Sequence, residues 1–159
     1  MIRPIAEDDW QRLRDVRLRA LELDPAAFLE THANALTFPE EHWRVRANPT
    51  ERQASFAFER DGRFEGLVAC FIAEDPATVF LVAMWVAQEL RGRGAARQLV
   101  ESVLDWARGH NAQRVCLSVE GDNERAARLY EKCGFVETLD PPQLPYEPNH
   151  GNRFYVYVL

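Results

Sequence analysis

Val79-Phe80-Leu81-Val82-Ala83-Met84-Trp85-Val86 is followed, a short way downstream, by Arg91-Gly92-Arg93-Gly94-Ala95-Ala96, and these two stretches are the most informative part of the chain. The first stretch is rich in β-branched and aromatic residues, which is typical of a buried strand. After the second stretch, apolar residues recur at the spacing of a helix face, at Ala96, Leu99, Val100, Val103 and Ala107. Together they predict an anion site, because the first amides of a helix lack intrahelical acceptors and carry partial positive charge. Arg91 and Arg93 add two cations, so we expect a phosphorylated ligand here.

Two common phosphate-binding motifs do not describe this turn. A Walker-type loop requires Gly-x-x-x-x-Gly-Lys-Ser/Thr, and no Lys-Ser or Lys-Thr pair follows a glycine in this chain. A dinucleotide fingerprint requires a third small residue after Gly92 and Gly94, but Arg97 occupies that position. The pattern that remains is Arg-x-x-Gly-x-Ala over residues 91–96.

A second motif lies downstream, where residues 123–135 read Asn-Glu-Arg-Ala-Ala-Arg-Leu-Tyr-Glu-Lys-Cys-Gly-Phe. This stretch resembles the motif Asn-x-x-Ala-x-x-Leu-Tyr-x-x-x-Gly-Phe of the GNAT N-acetyltransferase superfamily and matches it at every fixed position. The pattern at residues 91–96 resembles the pyrophosphate loop of the same superfamily. The two motifs stand in the expected order, and the resemblance covers roughly residues 53–140.

The resemblance implies a single α+β domain over residues 1–159. Its GNAT-like fold would have a mixed central sheet of about seven strands, flanked by helices and splayed between the fourth and fifth strands. Periodicity and turn residues predict strands near residues 2–6, 54–59, 64–74, 79–86, 114–120, 135–139 and 153–159. They also predict helices near residues 8–23, 26–33, 39–46, 94–109 and 123–134. Asp8 or Asp9 is the expected cap of the first helix, and Gly109 the expected C′ residue of the fourth.

The resemblance also implies acetyl-CoA as the co-substrate, with its binding residues in these motifs. The backbone of the turn would hold the pyrophosphate, and the strand before it would pair with the pantetheine arm and stabilise the developing oxyanion. Asn123 would cap its helix or contact the pantetheine region. The predicted binding residues are Met84, Trp85, Val86, Arg91, Gly92, Arg93, Gly94, Ala95, Ala96 and Asn123.

Two side chains are the candidate catalytic groups. Tyr130 stands at the general-acid position of the superfamily, and a phenol is still protonated near pH 7, where it can protonate the departing CoA thiolate. Glu120 is the first candidate for the base that deprotonates the amine, with Glu30, His42 and His150 as alternatives.

Composition bounds the remaining classes of function. A net charge of −6 argues against nucleic-acid binding and is compatible with a cationic substrate. Four histidines show no ligand spacing, so no metal is expected, and three cysteines without a Cys-x-x-Cys pair indicate buried, reduced thiols. The acidic N-terminus and the short apolar runs predict a cytoplasmic protein without a signal peptide or membrane segment.

The acceptor is the least determined part. We expect a small-molecule or peptidyl primary amine, with Glu30, Glu40, Glu41 and Glu147 nearby and the proline-rich loop at 141–150 lying over the cleft. The alternatives are a CoA-binding sensor or interaction module without transferase activity, and a nucleotide-dependent enzyme that binds NAD or ATP. Tyr155, Val156, Tyr157 and Val158 of the last strand are a candidate sheet edge for a homodimer.

Overall fold

Seven strands form one sheet in the part of the chain, residues 1–148 and 150–159, that this computed structural model describes. The strands are β1 (Ile2–Pro4), β2 (Gln53–Arg60), β3 (Arg63–Ile72), β4 (Thr78–Val86), β5 (Arg114–Val119), β6 (Val136–Thr138) and β7 (Arg153–Val158). The helices are α1 (Trp10–Leu23), α2 (His32–Ala35), α3 (Glu40–Ala47), α4 (Ala95–Gly109) and α5 (Glu124–Lys132). Short 3₁₀ turns at Glu7–Asp9, Pro25–Ala27 and Gln88–Leu90 connect some of them.

The sheet is mixed and splayed, as predicted. Its strand order is β1-β2-β3-β4-β5-β7-β6, and β4 and β5 are the parallel pair among the described strands. These two strands pair only at their starts, where Thr78, Val79 and Phe80 lie opposite Arg114, Val115 and Cys116. Beyond Phe80 the strands diverge, so the second half of β4 has an open edge.

Helices cover both faces of the sheet and bury two apolar layers. On one face α4 and α5 pack against the sheet, and α4 contributes Leu99, Val100, Val103, Leu104 and Ala107, which are completely buried. On the other face α1 and α3 pack around Trp43, which is also completely buried. The strand and helix on either side of the glycine turn are therefore anchored in the core, which fixes the position of the turn.

Some helix boundaries differ from the sequence predictions. The helix predicted over residues 26–33 is wrong: Thr31 accepts a hydrogen bond from the Asn34 amide at 3.1 Å and starts α2 there. The Asp9 carboxylate does not cap α1, because it pairs with Arg3 at 2.7 Å. Gly109 is the last residue of α4, and the left-handed residue after it is Asn111, with φ 60°.

The last strand is not an edge of the sheet. β7 pairs with β5 on one side and with β6 on the other, so it offers no open edge for dimerisation. In the loop before it, Leu144 packs against the sheet and the Tyr146 hydroxyl lies 3.1 Å from Ser118 Oγ. Asn149, part of the predicted flap, lies outside the described residues.

Two further features concern the cysteines and the helix lengths. Cys70, Cys116 and Cys133 are buried and unpaired, as predicted. Burial raises the pKa of Cys70 to about 12, so its thiol stays protonated near neutral pH.

Within the described chain, every helix is too short or too polar to cross a bilayer.

Candidate functional site

A cleft of about 1040 Å³ opens where β4 and β5 diverge. The second half of β4 and the end of β5 form two walls, and the starts of α4 and α5 form the opposite side. The segment that follows α1, from Leu23 to Phe28, closes one end. The two sequence motifs, about 30 positions apart, therefore face the same space.

The glycine turn has the backbone conformation that its residues suggest. Gly92 and Gly94 have φ values of 79° and 85°, in the left-handed region that only glycine adopts at low cost. Gly94 is the N-cap residue of α4, so the amides of Ala95 and Ala96 lack intrahelical acceptors. Of the predicted turn residues, Arg93 is exposed and Ala95 is buried, and neither lines the cleft.

The Arg91 side chain is held by the protein itself. Its Nη2 donates to Asp24 Oδ2 at 2.9 Å, and its Nε donates to the Val86 carbonyl at 3.0 Å. The same Asp24 oxygen accepts from Trp85 Nε1 at 2.7 Å. Burial raises the pKa of the Asp24 carboxyl, but the hydrogen bonds from Trp85 and Arg91 outweigh burial and lower it overall. This arrangement, the Asp24 clamp, ties the end of α1 to the end of β4.

The end of β4 presents alternate backbone groups to the cleft. A β-bulge places one extra residue in β4 opposite β3, and Ala83 within it has φ 59°. After the bulge, the Ala87 amide donates to the Glu65 carbonyl at 2.8 Å, toward β3. Because successive residues of a strand point their amides to opposite edges, the Val86 amide faces the open edge. Trp85, paired with Leu67, directs its backbone groups to β3 instead, so the open edge is formed by its neighbours Met84 and Val86.

The α5 side of the cleft carries Tyr130. This residue is 6% exposed, lines the cleft, and contacts Phe135 edge-on with ring centroids 5.7 Å apart. Burial raises the pKa of the Tyr130 phenol, so it remains protonated through the neutral range. At the start of the same helix, Asn123 Oδ1 accepts from the Ala126 amide at 3.2 Å, which confirms the predicted cap. Glu120 lines the cleft at the end of β5 and is half-buried.

Several basic residues of the cleft were missed from sequence. The spacing of three and four residues on α5 is a signal that would have found most of them, because it places side chains on one helix face. Their charges make the cleft wall basic in a chain whose net charge is −6. They are Arg97, Arg125, Arg128 and Lys132.

The acidic residues expected around an acceptor lie elsewhere. The described lining of the cleft does not include Glu30, Glu40, Glu41 or Glu147; its carboxylates are those of Asp24, Glu120 and Asp122. Glu40 pairs with Arg44 on α3, and the alternative base His42, on the same helix, lines a separate cavity of about 610 Å³. In the described part of the chain, no three metal-ligating side chains are grouped closely enough to hold a metal ion.

Residues 10–135 match the model of the Acetyltransferase (GNAT) family. The ribosomal protein bS18-alanine N-acetyltransferase of Escherichia coli K12 is 28% identical over 120 residues, 76% of this chain and 78% of that protein. The N-acetylaspartate synthetase of Homo sapiens is 39% identical over 75 residues, 47% of this chain. The chain spans only 25% of that longer relative.

Solved structures share the fold over the whole chain. The acetyltransferase of GNAT family from Streptococcus pneumoniae has a TM-score of 0.81 and 18% identity, covering 100% of this chain and 99% of that one. Arabidopsis thaliana NAA60, in complex with acetyl-CoA, has a TM-score of 0.71 and 20% identity, covering 100% and 98%. At these identities the likeness shows a common architecture.

Proposed function

This chain belongs to the GNAT family of acetyltransferases, and from that membership we propose that it transfers an acetyl group from acetyl-CoA to an amine. One observation carries the proposal: the glycine turn, the open edge of β4 and Tyr130 all line one cleft. The names of two relatives, a protein-alanine N-acetyltransferase and an N-acetylaspartate synthetase, both describe the acetylation of an amine.

The chemical character of the cleft fits acetyl-CoA. The amides at the start of α4 suit the pyrophosphate, because they have no acceptors of their own and lie at the positive end of the helix dipole. The basic side chains of α4 and α5 suit the remaining phosphate charge. The open edge of β4 at Met84 and Val86 offers backbone groups to an amide-bearing arm, as an added strand would use them. In this proposal Arg91 acts mainly through its backbone, since its guanidinium is held by Asp24.

The chain's residues have separate tasks in direct transfer. Glu120 takes a proton from the acceptor ammonium, so that the neutral amine attacks the thioester carbonyl. The Val86 amide donates to the carbonyl oxygen as negative charge develops on it. Tyr130 gives its proton to the departing sulfur, whose pKa as a free thiol is about 8.5. The bond from nitrogen to the acetyl carbon forms as the carbon–sulfur bond breaks, and the products are an N-acetyl compound and CoA.

The test combines ligand binding with turnover for wild type, Tyr130→Phe and Tyr157→Phe. Tyr157 is the matched control, because its ring also contacts Phe135, with ring centroids 5.4 Å apart, but is absent from the cleft lining. Acetyl-CoA at 100 times its dissociation constant should stabilise all three proteins by about 2.7 kcal/mol. We expect Tyr130→Phe to lower kcat about 100- to 1000-fold and Tyr157→Phe to leave it near the wild-type value.

The outcomes separate the parts of the proposal. If acetyl-CoA does not raise the unfolding midpoint of wild type while NAD or ATP does, acetyl-CoA is not the co-substrate. If Tyr130→Phe retains wild-type kcat on an acetylated amine, the transfer stands and the acid role of Tyr130 is wrong. The same measurement with Glu120→Gln tests the base: a loss of kcat that is restored at high pH supports it, and unchanged activity removes it.

A further inference from the structure

Four buried nitrogen atoms without a hydrogen-bond partner lie on two helices that pack against each other, α1 and α3, and none of them is used above. They are Nε and Nη1 of Arg17, Nε2 of His42 and Nε1 of Trp43. In residues 1–148 and 150–159, these are the buried side-chain nitrogen and oxygen atoms that lack a hydrogen-bond partner. Arg17, on α1, is only 7% exposed. The His42 and Trp43 rings, on α3, are 5.2 Å apart, so these unpaired groups are concentrated between two packed helices.

Arg46 adds a second cation to this group. It lies on α3 with its guanidinium 6.0 Å from the Trp43 ring, and its charge acts on both Arg17 and His42. We call Arg17, His42, Trp43 and Arg46 the donor cluster. Burial, with a smaller effect of Arg46, lowers the pKa of Arg17 to about 9, so Arg17 still carries its charge near pH 7. The cluster therefore holds two buried or half-buried positive charges.

The neighbouring carboxylate does not satisfy these donors. Glu30 Oε1 accepts from the Thr31 amide at 3.0 Å and from Asn34 Nδ2 at 2.7 Å, at the start of α2. Its negative charge raises the pKa of both arginines from a distance, but Nε and Nη1 of Arg17 have no partner. Taken together, Arg17, Arg46 and the one carboxylate whose charge acts on both of them, Glu30, carry a net charge of +1. A single negative charge from a ligand would balance it.

Within the donor cluster, Arg17 adjoins the proposed active cleft through one side chain, whereas His42 and Arg46 line the separate cavity described above. Phe28 lines the cleft, and the guanidinium of Arg17 lies 4.6 Å from the centroid of its ring. An arginine buried without partners is costly to a fold, and buried polar groups of this kind call for an acceptor. A planar guanidinium binds a carboxylate with two parallel hydrogen bonds, which suits the small net charge of the region.

We propose that the donor cluster binds a carboxylate of the acceptor, so that the substrate is an amino acid or a similar amino-carboxylate. The inference rests on the acetyl transfer proposed above and names the class of amine that it uses. Arg17 is the primary contact, and Arg46 supports it as the second cation.

The first experiment measures the acetylation of a panel of L-amino acids and of the matching amino-acid amides. The amine and side chain are the same within each pair, so the ratio of the two kcat/KM values isolates the carboxylate. A charge-assisted pair with Arg17 should favour the acid about 100-fold in wild type. Arg17→Met should bring the ratio close to one. Arg44→Met, which removes an α3 arginine paired with Glu40, should keep the wild-type ratio.

The second experiment distinguishes a ligand-binding arginine from a structural one. Arg17→Met removes an unpaired buried charge and should leave the midpoint of thermal unfolding unchanged or raise it by about 2–4 °C. An arginine that held the helices together would lower the midpoint when replaced. Without acetyl-CoA, N-acetyl-amino acids should raise the midpoint of wild type but not of Arg17→Met, and N-acetyl-amino-acid amides should raise neither.

These readouts fail in different ways. If wild type acetylates amides or phosphorylated amines as well as the acids, the carboxylate inference is overturned and the transferase stands. If no amine is acetylated but N-acetyl-amino acids still stabilise wild type and not Arg17→Met, the transferase proposal is overturned and the carboxylate site stands. A large fall in the midpoint on Arg17→Met, without any stabilisation by the acids, assigns Arg17 a structural role.

Discussion

Replacing Asp24 by asparagine should weaken the fold, because Asp24 joins the end of α1 to the end of β4 and the turn after it, which are distant from α1 in sequence. One of its oxygens accepts from Trp85 at 2.7 Å and from Arg91 at 2.9 Å, 61 and 67 positions away. Hydrogen bonds to a charged partner contribute about 1.5–3 kcal/mol each when buried. The Asp24 side chain is 34% exposed, which weakens both hydrogen bonds, and asparagine retains an acceptor oxygen. We therefore expect a total loss of about 2 kcal/mol in the free energy of unfolding.

The effect should depend on pH in a defined direction. The folded-state pKa of Asp24 is lowered, so its ionised form stabilises the fold fully above the unfolded-state pKa of about 3.9. That contribution disappears as the pH falls through the folded-state pKa. The difference between wild type and Asp24→Asn should therefore be constant above about pH 5 and shrink below about pH 4.

Urea unfolding at several pH values measures this difference, with Asp105→Asn as the control. Asp105 pairs with Arg108 at 3.0 Å but is 76% exposed, so its replacement should cost less than about 0.5 kcal/mol. A double-mutant cycle of Asp24→Asn with Arg91→Met should give a coupling energy of about 1 kcal/mol. If Asp24→Asn is as stable as Asp105→Asn and the coupling energy is zero, the Asp24 clamp does not stabilise the fold.

Substitutions at three other local features can be compared by urea unfolding. Gly121→Ala should lower the free energy of unfolding by about 1–3 kcal/mol, because the new Cβ would overlap the Gly151 carbonyl oxygen. In the control Gly109→Ala the new Cβ meets nothing within 4 Å, so this variant should gain about 0.5–1 kcal/mol. Equal effects of the two substitutions would contradict this prediction. Asn123→Ala should lose about 1 kcal/mol with the helix cap, and Asn123→Asp should restore most of it; a neutral alanine variant would mean that the cap is unimportant. Ala83→Val should destabilise the protein by at least about 1 kcal/mol, because a β-branched residue is poorly tolerated at φ 59°; wild-type stability would show that the bulge relaxes.

The match between sequence and fold was best where the signal is local. The hairpin at Asp61-Gly62, the glycine turn and the Asn123 cap each depend on the conformational preferences of one or two adjacent residues. The prediction failed between residues 25 and 35, where Pro25 and the Thr31 cap divide the segment into a turn and a short helix. No strong periodicity marked that boundary.

The site could be predicted only in part. Tyr130, Asn123 and the glycine turn were found because each belongs to a contiguous motif, and the structure brings them to one cleft. The basic face of α5 and the segment after α1 were not found, since lining a cleft depends on which elements pack beside it. The guanidinium of Arg91 was expected to face a phosphate, but its position is set by Asp24, from a different part of the chain.

The end of β4, the position of the glycine turn and the starts of α4 and α5 follow from local residue patterns, because they depend on backbone preferences and hydrophobic spacing. Three features instead become visible only in the folded chain: β7 lies inside the sheet, Asp24 clamps Trp85 and Arg91, and two nitrogens of Arg17 are buried without a partner beside the cleft. These features arise from contacts between segments that are remote along the chain. Spacing encodes the local conformation of each segment, whereas the partner that a side chain meets depends on how the segments pack.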